Sequence, residues 1–515
     1  MTNPGDCVAR FKSLQKNLVN VWGALQENPS HPCTSVIVPS MSVDQEELAK
    51  VTGAGFYEER LMFALIRLRN PNARLIYVTS QPVHPDVVDY YLQLLDSVSA
   101  SHARNRLTMI SVLDSTARPL SEKILERPHL IRRLRAAIGD PSSAYLTVYN
   151  STALERELAV ALGIPLNGLD PDLLYLGTKS GNRQIFEEAG VDHPAGFEDL
   201  RSEQDIVDAL IALRKLRPEA DRAVIKLNQG FGGEGNAVFR YPDDTVDEAS
   251  VRAALARLSW LSGQQTYDAF LAKFARMGGI VEEMVGGNDV RSPSVQMRIL
   301  PDGKARIVST HEQVLGGATG QAYMGCRFPA EAEYRALLQE AARKVADVLC
   351  DKGVIGRFAI DFLVSRDDNT WLAHAIEINL RMGGTTPPFH ALEFLTDGSL
   401  DEQSGLFLTP SGQEKFYKAT DNLKSPAYRG LLPEDLFDIV LQHGIGFRHA
   451  TGTGVLFYMI GALSQYGKLG ITCIADSPEE AQNLFERTVQ ILDDNTRGED
   501  HGRVLPMNDR YIEIE

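Results

Sequence analysis

The sequence predicts a multidomain protein of the α/β and α+β classes, with a parallel α/β unit first, a strand-rich α+β region next and a small α+β unit last. Three observations predict it. Over the first ~175 residues, short apolar runs alternate with helical stretches, the pattern of a parallel sheet covered by helices. From residue 176 onward the texture changes to strands paired through turns. Near the end a strand–strand–helix unit spans 454–460, 469–475 and 478–492. The 515 residues suit about three or four domains, and the changes of texture place them at 1–175, 176–285, 286–394 and 395–515.

In the first part the apolar runs fall at 35–39, 75–78, 107–113 and 145–148, with helices expected at 58–68 and 85–95. Each run ends in small or polar residues (PSMS, TSQP, DSTA, YNST), at the strand ends where parallel sheets often hold ligands. A helix at 180–189 stops at Gly190 and Pro194. A second helix is expected at 204–216, strands at 223–227 and 237–240, and a helical stretch at 251–277. Strands follow at 279–285, 294–300, 305–314, 358–364 and 372–378, with a helix at 331–349. PDGK at 301–304 and SRDDNT at 365–370 read as hairpin turns. Residues after 394 read as loop-rich up to the final unit, and TGTGVLFYMIGAL reads as core, cap or dimer face.

Composition narrows the function. Lys and Arg number 52 against 68 Asp and Glu, a net charge of −16. That balance argues against sequence-independent nucleic-acid binding, which needs a basic face, yet leaves room for anionic small molecules in a local basic cleft. Cys7, Cys33, Cys326, Cys350 and Cys473 form no CxxC pair, so neither a disulfide framework nor a zinc ribbon is expected. The first residues lack an apolar signal core and no run is long enough to span a bilayer, which makes a cytoplasmic protein without membrane partners the default expectation.

Gly230, Gly232 and Gly235 match GxGxxG, with Gly233 between them. The dinucleotide-binding motif needs a helix next, whereas Asn236–Arg240 reads as a strand. The loop therefore joins two strands, and it lacks the GK[ST] ending of a P-loop. A glycine hairpin can still approach a triphosphate closely and donate backbone N–H groups. Lys226 sits in the apolar run VIKL, a costly place for an ammonium unless it meets an anion. The competing reading is an ordinary hairpin with a solvated lysine. Downstream, Ile280–Val285 is a strand-like run that breaks into Gly286 and Gly287. Its backbone groups suit hydrogen bonds to a flat heterocycle, and Asp289 suits ribose hydroxyls; two exposed glutamates before a turn would look the same.

The hairpin at 356–381 carries the most specific pattern. Period-two alternation puts Arg357 and Asp361 on one face of its first strand, and Glu377, Asn379 and Arg381 on one face of its second. Folding at 365–370 brings Asp361 to Glu377. Two carboxylates and an amide oxygen are hard ligands suited to Mg²⁺ bound together with substrate phosphates, whereas two carboxylates with no cation would repel. The segment Thr385-Thr386-Pro387-Pro388 that follows suits either a substrate contact or a rigid turn.

In order along the chain, Lys179 in GTKSGNR, then VIKLNQGFGGEGN, VEEMVGGND, RFAIDF and EINLR resemble the ATP-grasp superfamily over residues 150–390. THEQVLGG, FAIDF and EINLRMGGTTPPF look like the pheganomycin-type peptide ligases. The resemblance implies a pre-ATP-grasp α/β domain, a two-subdomain ATP-grasp fold and a small carboxyl-terminal domain. It implies that Lys179 and Lys226 hold ATP phosphates, that Gly230, Gly232, Gly233 and Gly235 belong to the loop covering them, and that Glu282, Glu283 and Val285 form the adenine hinge. Asp289 matches a ribose position that is often Glu. Asp361, Glu377 and Asn379 resemble the Mg²⁺ ligands, and Arg381 the arginine that stabilises transferring phosphate. Arg357 is expected to be catalytic, although it stands four residues before Asp361 where related ligases keep an arginine two before. His311 and Gln313 are expected to line the site or to be structural strand residues. The implied function is ADP-forming ligation of a carboxylate to an amine or peptide through an acylphosphate. A homodimer is an open expectation, with the apolar carboxyl-terminal run as its candidate face. The alternatives are another ATP-grasp phosphotransfer or carboxylation reaction, and a nucleotide sensor.

Overall fold

A computed structural model describes residues 4–43, 48, 51–230, 235–242, 246–261, 266–316, 322–368 and 370–496. The chain opens with a helix, Pro4–Glu27, absent from the sequence expectation. Strands β1 (Cys33–Val38), β2 (Ala73–Thr79), β3 (Leu107–Ser111) and β4 (Ala144–Val148) then form a parallel sheet in the order β3-β2-β1-β4. All six residues of β1 are buried, as a strand covered on both faces requires. The expected helix near 58–68 is a 3₁₀ helix, Ala54–Arg69, which carries the buried charges Glu58, Glu59 and Arg60.

Strands β5 (Gly196–Leu200), β6 (Arg222–Leu227), β7 (Asn236–Arg240), β8 (Ser259–Trp260) and β9 (Gly279–Glu283) make a second sheet, ordered β5-β9-β6-β7-β8. The helical stretch expected at 251–277 is two helices, Glu248–Leu255 and Tyr267–Met277, on either side of β8. Helix Glu203–Leu216 buries Ile206, Ala209, Leu210 and Leu213 against this sheet, the i, i+3, i+4, i+7 stripe of an amphipathic helix.

The third sheet contains β10 (Asn288–Arg291), β11 (Pro293–Ile299), β12 (Ala305–Gly316), β13 (Ala322–Phe328), β14 (Gly356–Asp367), β15 (Thr370–Asn379), β16 (Ser399–Leu400), β17 (Phe407–Leu408), β18 (Glu414–Lys424), β19 (Gly454–Tyr458) and β20 (Lys468–Ala475). Helix Ala332–Asp351 packs Leu338, Ala342, Val345 and Leu349 onto it. The region read as loop-rich after residue 394 contains β18, which pairs with β13 on one side and β20 on the other. The carboxyl-terminal strands are therefore continuous with the central sheet. Residues of TGTGVLFYMIGAL are core: Val455, Leu456 and Phe457 join Ile37, Leu75 and Tyr77 of the first sheet and Phe389, Leu392 and Leu395 in one cluster. Thr385-Thr386-Pro387-Pro388 opens helix Thr386–Thr396, with proline in its first turn, where the missing N–H is not needed. Among the described residues no helix is long and apolar enough to cross a membrane.

Candidate active site

The hairpin β14–β15 builds the centre of the site. Its register sets Asp361 directly opposite Glu377 and Ala359 opposite Asn379. A register shift between Asp361 and Phe362 turns the Ala375 N–H out of the ladder to bond Asp192 O at 2.8 Å; bulges commonly re-aim side chains beside a site in this way. Asn379 Nδ2 donates to Asp361 Oδ2 at 2.9 Å, and Gln313 Nε2 donates to Asp361 Oδ1 at 2.8 Å. Lys179 Nζ is ion-paired with Glu377.

Electrostatics separate the two carboxyls. Burial, and then the neighbouring Glu377, pushes Asp361 up to about 7 against the pull of Lys179 and Arg381. Burial also pushes Glu377 upward, but Lys179, Arg381 and Lys226 outweigh it and hold that carboxyl below its ordinary value. Two oxygen-bearing carboxyls and an amide converge beside two lysines and an arginine. This is a donor set of the right hardness for Mg²⁺ and an electropositive frame for phosphate.

Lys179 is placed by the first turn of helix Lys179–Glu188. Thr178 Oγ1 caps that turn by accepting from Gly181 N–H at 3.1 Å. Ser180 N–H and Oγ both donate to Asn228 Oδ1, at 2.9 and 2.8 Å, which ties the helix to the end of β6. Asn182 Oδ1 accepts from Ile378 N–H at 2.9 Å, tying it to β15. A Cβ on Gly181 would stand 2.1 Å from Tyr175 O, so only glycine allows this close approach. Lys226, buried on β6, is ion-paired with Glu282 on β9. Glu282 also faces Arg183 Nη1 at 3.6 Å.

The other candidates make contacts of their own. Glu283 Oε1 accepts from Ala195 N–H at 2.8 Å and Oε2 meets Arg217 Nε at 3.0 Å, so its side chain fastens β9 to neighbouring segments. Val285 follows β9 in the connection to β10. Asp289 is exposed at φ 52 and paired with Arg291 through two contacts of 3.0 Å. His311 is buried; its Nε2 lies 2.5 Å from Tyr417 Oη, and burial pushes its imidazole down to about 3. Gly230 and Gly235 flank the loop. Gly235 has φ +78 and bonds through its O to Leu227 N–H, while Gly232 and Gly233 lie outside the described residues. Arg381 lines a recess beside residues 147–151 of the first unit, and Arg357 opens into that recess and into a larger adjoining cavity.

Asn228, Asn182 and Arg183 were not anticipated, nor were Arg67 and Arg298 on the cavity wall. Arg298 had a signal: Ser294, Gln296 and Arg298 alternate with Val295, Met297 and Ile299 on β11, and the register sets them opposite Asp361, Ala359 and Arg357.

The fold and the comparisons that follow make this an ATP-grasp enzyme, an ATP-dependent carbon–nitrogen ligase by class. The IQCH-like ATP-grasp family matches residues 172–243 and 245–403, and the PGM1 C-terminal domain family matches 435–488. The L-propargylglycine–L-glutamate ligase of Streptantibioticus cattleyicolor is 31% identical over 471 residues, 89% of this chain and 94% of that protein. The chain belongs to that ligase's family within the ATP-grasp superfamily. The IQ motif-containing protein H of Danio rerio is 24% identical over 94% of this chain, which spans half of that longer protein. Among solved structures, the biotin carboxylase of Campylobacter jejuni in complex with β,γ-ATP superposes with a TM-score of 0.54 at 14% identity, covering 92% of this chain and 97% of its own. An ADP complex of N5-carboxyaminoimidazole ribonucleotide synthetase gives 0.51 at 14% identity, covering 90% and 98%.

Proposed function

We propose that this protein joins a small-molecule carboxylate to the amine of an amino acid or short peptide, with ATP converted to ADP and phosphate. The observation that carries the reading is the cross-strand pair Asp361 and Glu377, with Asn379 bonded to one and Lys179 to the other. Structures of the same fold hold a nucleotide. Asp361, Glu377 and Asn379 would hold Mg²⁺, which when bound offsets charge on the β- and γ-phosphate oxygens.

Lys179 and Lys226 would bind the phosphates by exchanging their carboxylate partners for phosphate oxygens. The adenine would lie against the strand end at Glu282, Glu283 and Val285, chiefly through backbone groups, and Asp289 would take the ribose by parting from Arg291. A donor carboxylate oxygen attacks the γ-phosphorus, a P–O bond forms, and the bond to ADP breaks. Arg381 stabilises the charge spread over the transferring group. The acceptor nitrogen then attacks the acyl carbon. The C–N bond forms, phosphate leaves with the electrons of the C–O bond, and the nitrogen's proton is lost to solvent.

The test is ADP release with Mg-ATP against pooled carboxylates, amino acids and short peptides, including L-glutamate with L-propargylglycine, the pair in the relative's name. Mass spectrometry of active pools should show a product lighter by one water than its two components. A phosphate ester, a carboxylated product, or nucleotide binding without ADP release in every pool would overturn the ligase.

A further inference from the structure

The cavity between the amino-terminal unit and the central sheet has a charge balance that the nucleotide site does not explain. Its volume is about 230 Å³. Arg67, Arg298 and Arg357 line it, and Glu393 is the one carboxylate among its lining residues. Three cations against one anion leave 3 − 1 = +2. Glu393 is itself bonded to His390 Nδ1. Among the described residues, no carboxylate forms an ion pair within 4 Å of Arg298 or Arg357. The Arg298 guanidinium lies 5.0 Å from the Trp22 ring, and Arg67 Nη1 donates to Thr147 Oγ1 at 3.3 Å. His390 is buried, lines the same cavity, and among the described residues its Nε2 has no hydrogen-bond partner. Burial, and then Arg357, pushes that imidazole down to about 4, so it adds no positive charge near neutrality.

Cations gathered out of bulk water without counter-charges are costly, and the cost is offset when an anion joins them. Much of the remaining lining is apolar, supplied by Leu18, Val21 and Leu25 of the first helix with Phe63 and Ile66. A cavity of this size is below the usual range for drug-sized ligands and suits one amino acid. It also lies near the hairpin site. Arg357 is four residues from Asp361 on β14, about 13 Å at 3.3 Å per residue. Arg357 and Arg381 share the recess of about 60 Å³ that adjoins the cavity.

We propose that this cavity is the pocket of the acceptor amino acid, with Arg298 and Arg357 holding its free carboxylate and the apolar wall receiving a small aliphatic side chain. The identity of the occupant rests on the ligase reading: the bond forms at the acceptor's nitrogen, so its carboxylate stays anionic throughout and needs fixed cations. Arg357 on this view binds substrate and does not act on the phosphate.

Trp22 is one of three tryptophans and reports on the cavity directly. Full-length protein with Mg-ADP is titrated with L-alanine, L-norvaline, L-leucine and L-methionine, and with their carboxamides, by tryptophan fluorescence and thermal melting. At least one acid should bind, its amide at least 30-fold more weakly, and the fluorescence change should vanish in W22F. R298M and R357M should each weaken the acid at least 30-fold with ADP affinity within threefold of wild type, and R298K should restore most of the loss. Absence of binding by all four acids, equal binding of acids and amides, or unchanged acid affinity in R298M would overturn the pocket. ADP release with the bound acid and a carboxylate pool is scored separately: acid binding without turnover keeps the carboxylate pocket and rejects the ligase.

Discussion

Asp361 and Glu377 face each other across one rung of a hairpin, and a lysine ion-pairs with only one of them. Such asymmetry sets a poised carboxyl beside an ionised one, and perturbed carboxyls cluster at functional sites. Asp361→Ala and Glu377→Ala should each lower ADP formation by about 10²–10³-fold, a loss typical of removing one charge-stabilising group, with circular dichroism unchanged; normal turnover in both would remove the metal site from this hairpin. A second carboxyl pair lies away from the site. Burial pushes Glu58 and Glu59 up to about 7 each, and Glu59 Oε2 accepts from Gly461 N–H at 3.1 Å. A carboxyl raised on folding contributes stability that is complete below its unfolded pKa and lost as pH rises through its folded one. Melting curves of wild type and Glu59→Gln should therefore diverge in the variant's favour from pH 5 to pH 8, by on the order of 1–3 kcal/mol; parallel curves would place the titration elsewhere. At this scale the sequence was legible wherever alternation and one turn sufficed, as for Asp361, Glu377 and Asn379. It was silent where the partner comes from a distant segment. Arg217 reaching Glu283, Tyr417 reaching His311 and Trp22 beside Arg298 are all consequences of topology.

Helix Lys179–Glu188 joins two sheets that share no strand pairing with each other. One turn carries Lys179 to Glu377, Ser180 to Asn228 on the β6 side, and Asn182 to Ile378 on β15. Gly181→Ala would drive a methyl into Tyr175 O. It should destabilise the protein by more than about 3 kcal/mol and raise the KM for ATP, measured by denaturant melting and ADP release; a silent substitution would mean that the helix can shift without cost. Most element types and many ends were readable because strand and helix periods are strong signals over several residues. β18 was not. In its sequence, EKFYKATDNLK, seven of eleven residues are charged or polar, yet Lys415 and Asp421 are buried, Lys415 on Asp476 and Thr451 O, Asp421 on Arg60. Strand propensity describes a half-buried apolar surface and gives no weight to a polar strand completed by ion pairs from elsewhere.

Across the whole molecule, the first sheet and the carboxyl-terminal strands share one core, and Arg60 joins them electrostatically. Its guanidinium lies 4.3 Å from the Tyr57 ring and 4.6 Å from the Tyr149 ring, and meets Asp421 at 3.3 Å. Arg60→Ala leaves Asp421 buried and unpaired, a change that costs about 3–5 kcal/mol, and urea unfolding should show it. Deleting residues 395–515 should yield aggregated protein, because β13 loses its partner β18 and the first sheet loses Val455–Phe457; a soluble, monomeric 1–394 fragment would refute the shared core. The pairing of β13 with β18 also bears on the protein's birth. At about 5–20 residues per second of synthesis, roughly 5–20 s separate the emergence of Phe328 from that of Lys424. Throughout that interval the nascent chain presents an unpaired strand edge, a template for aggregation. The ribosome can release a shielded central sheet only after most of the message is read, which makes this chain a candidate client for chaperones during translation.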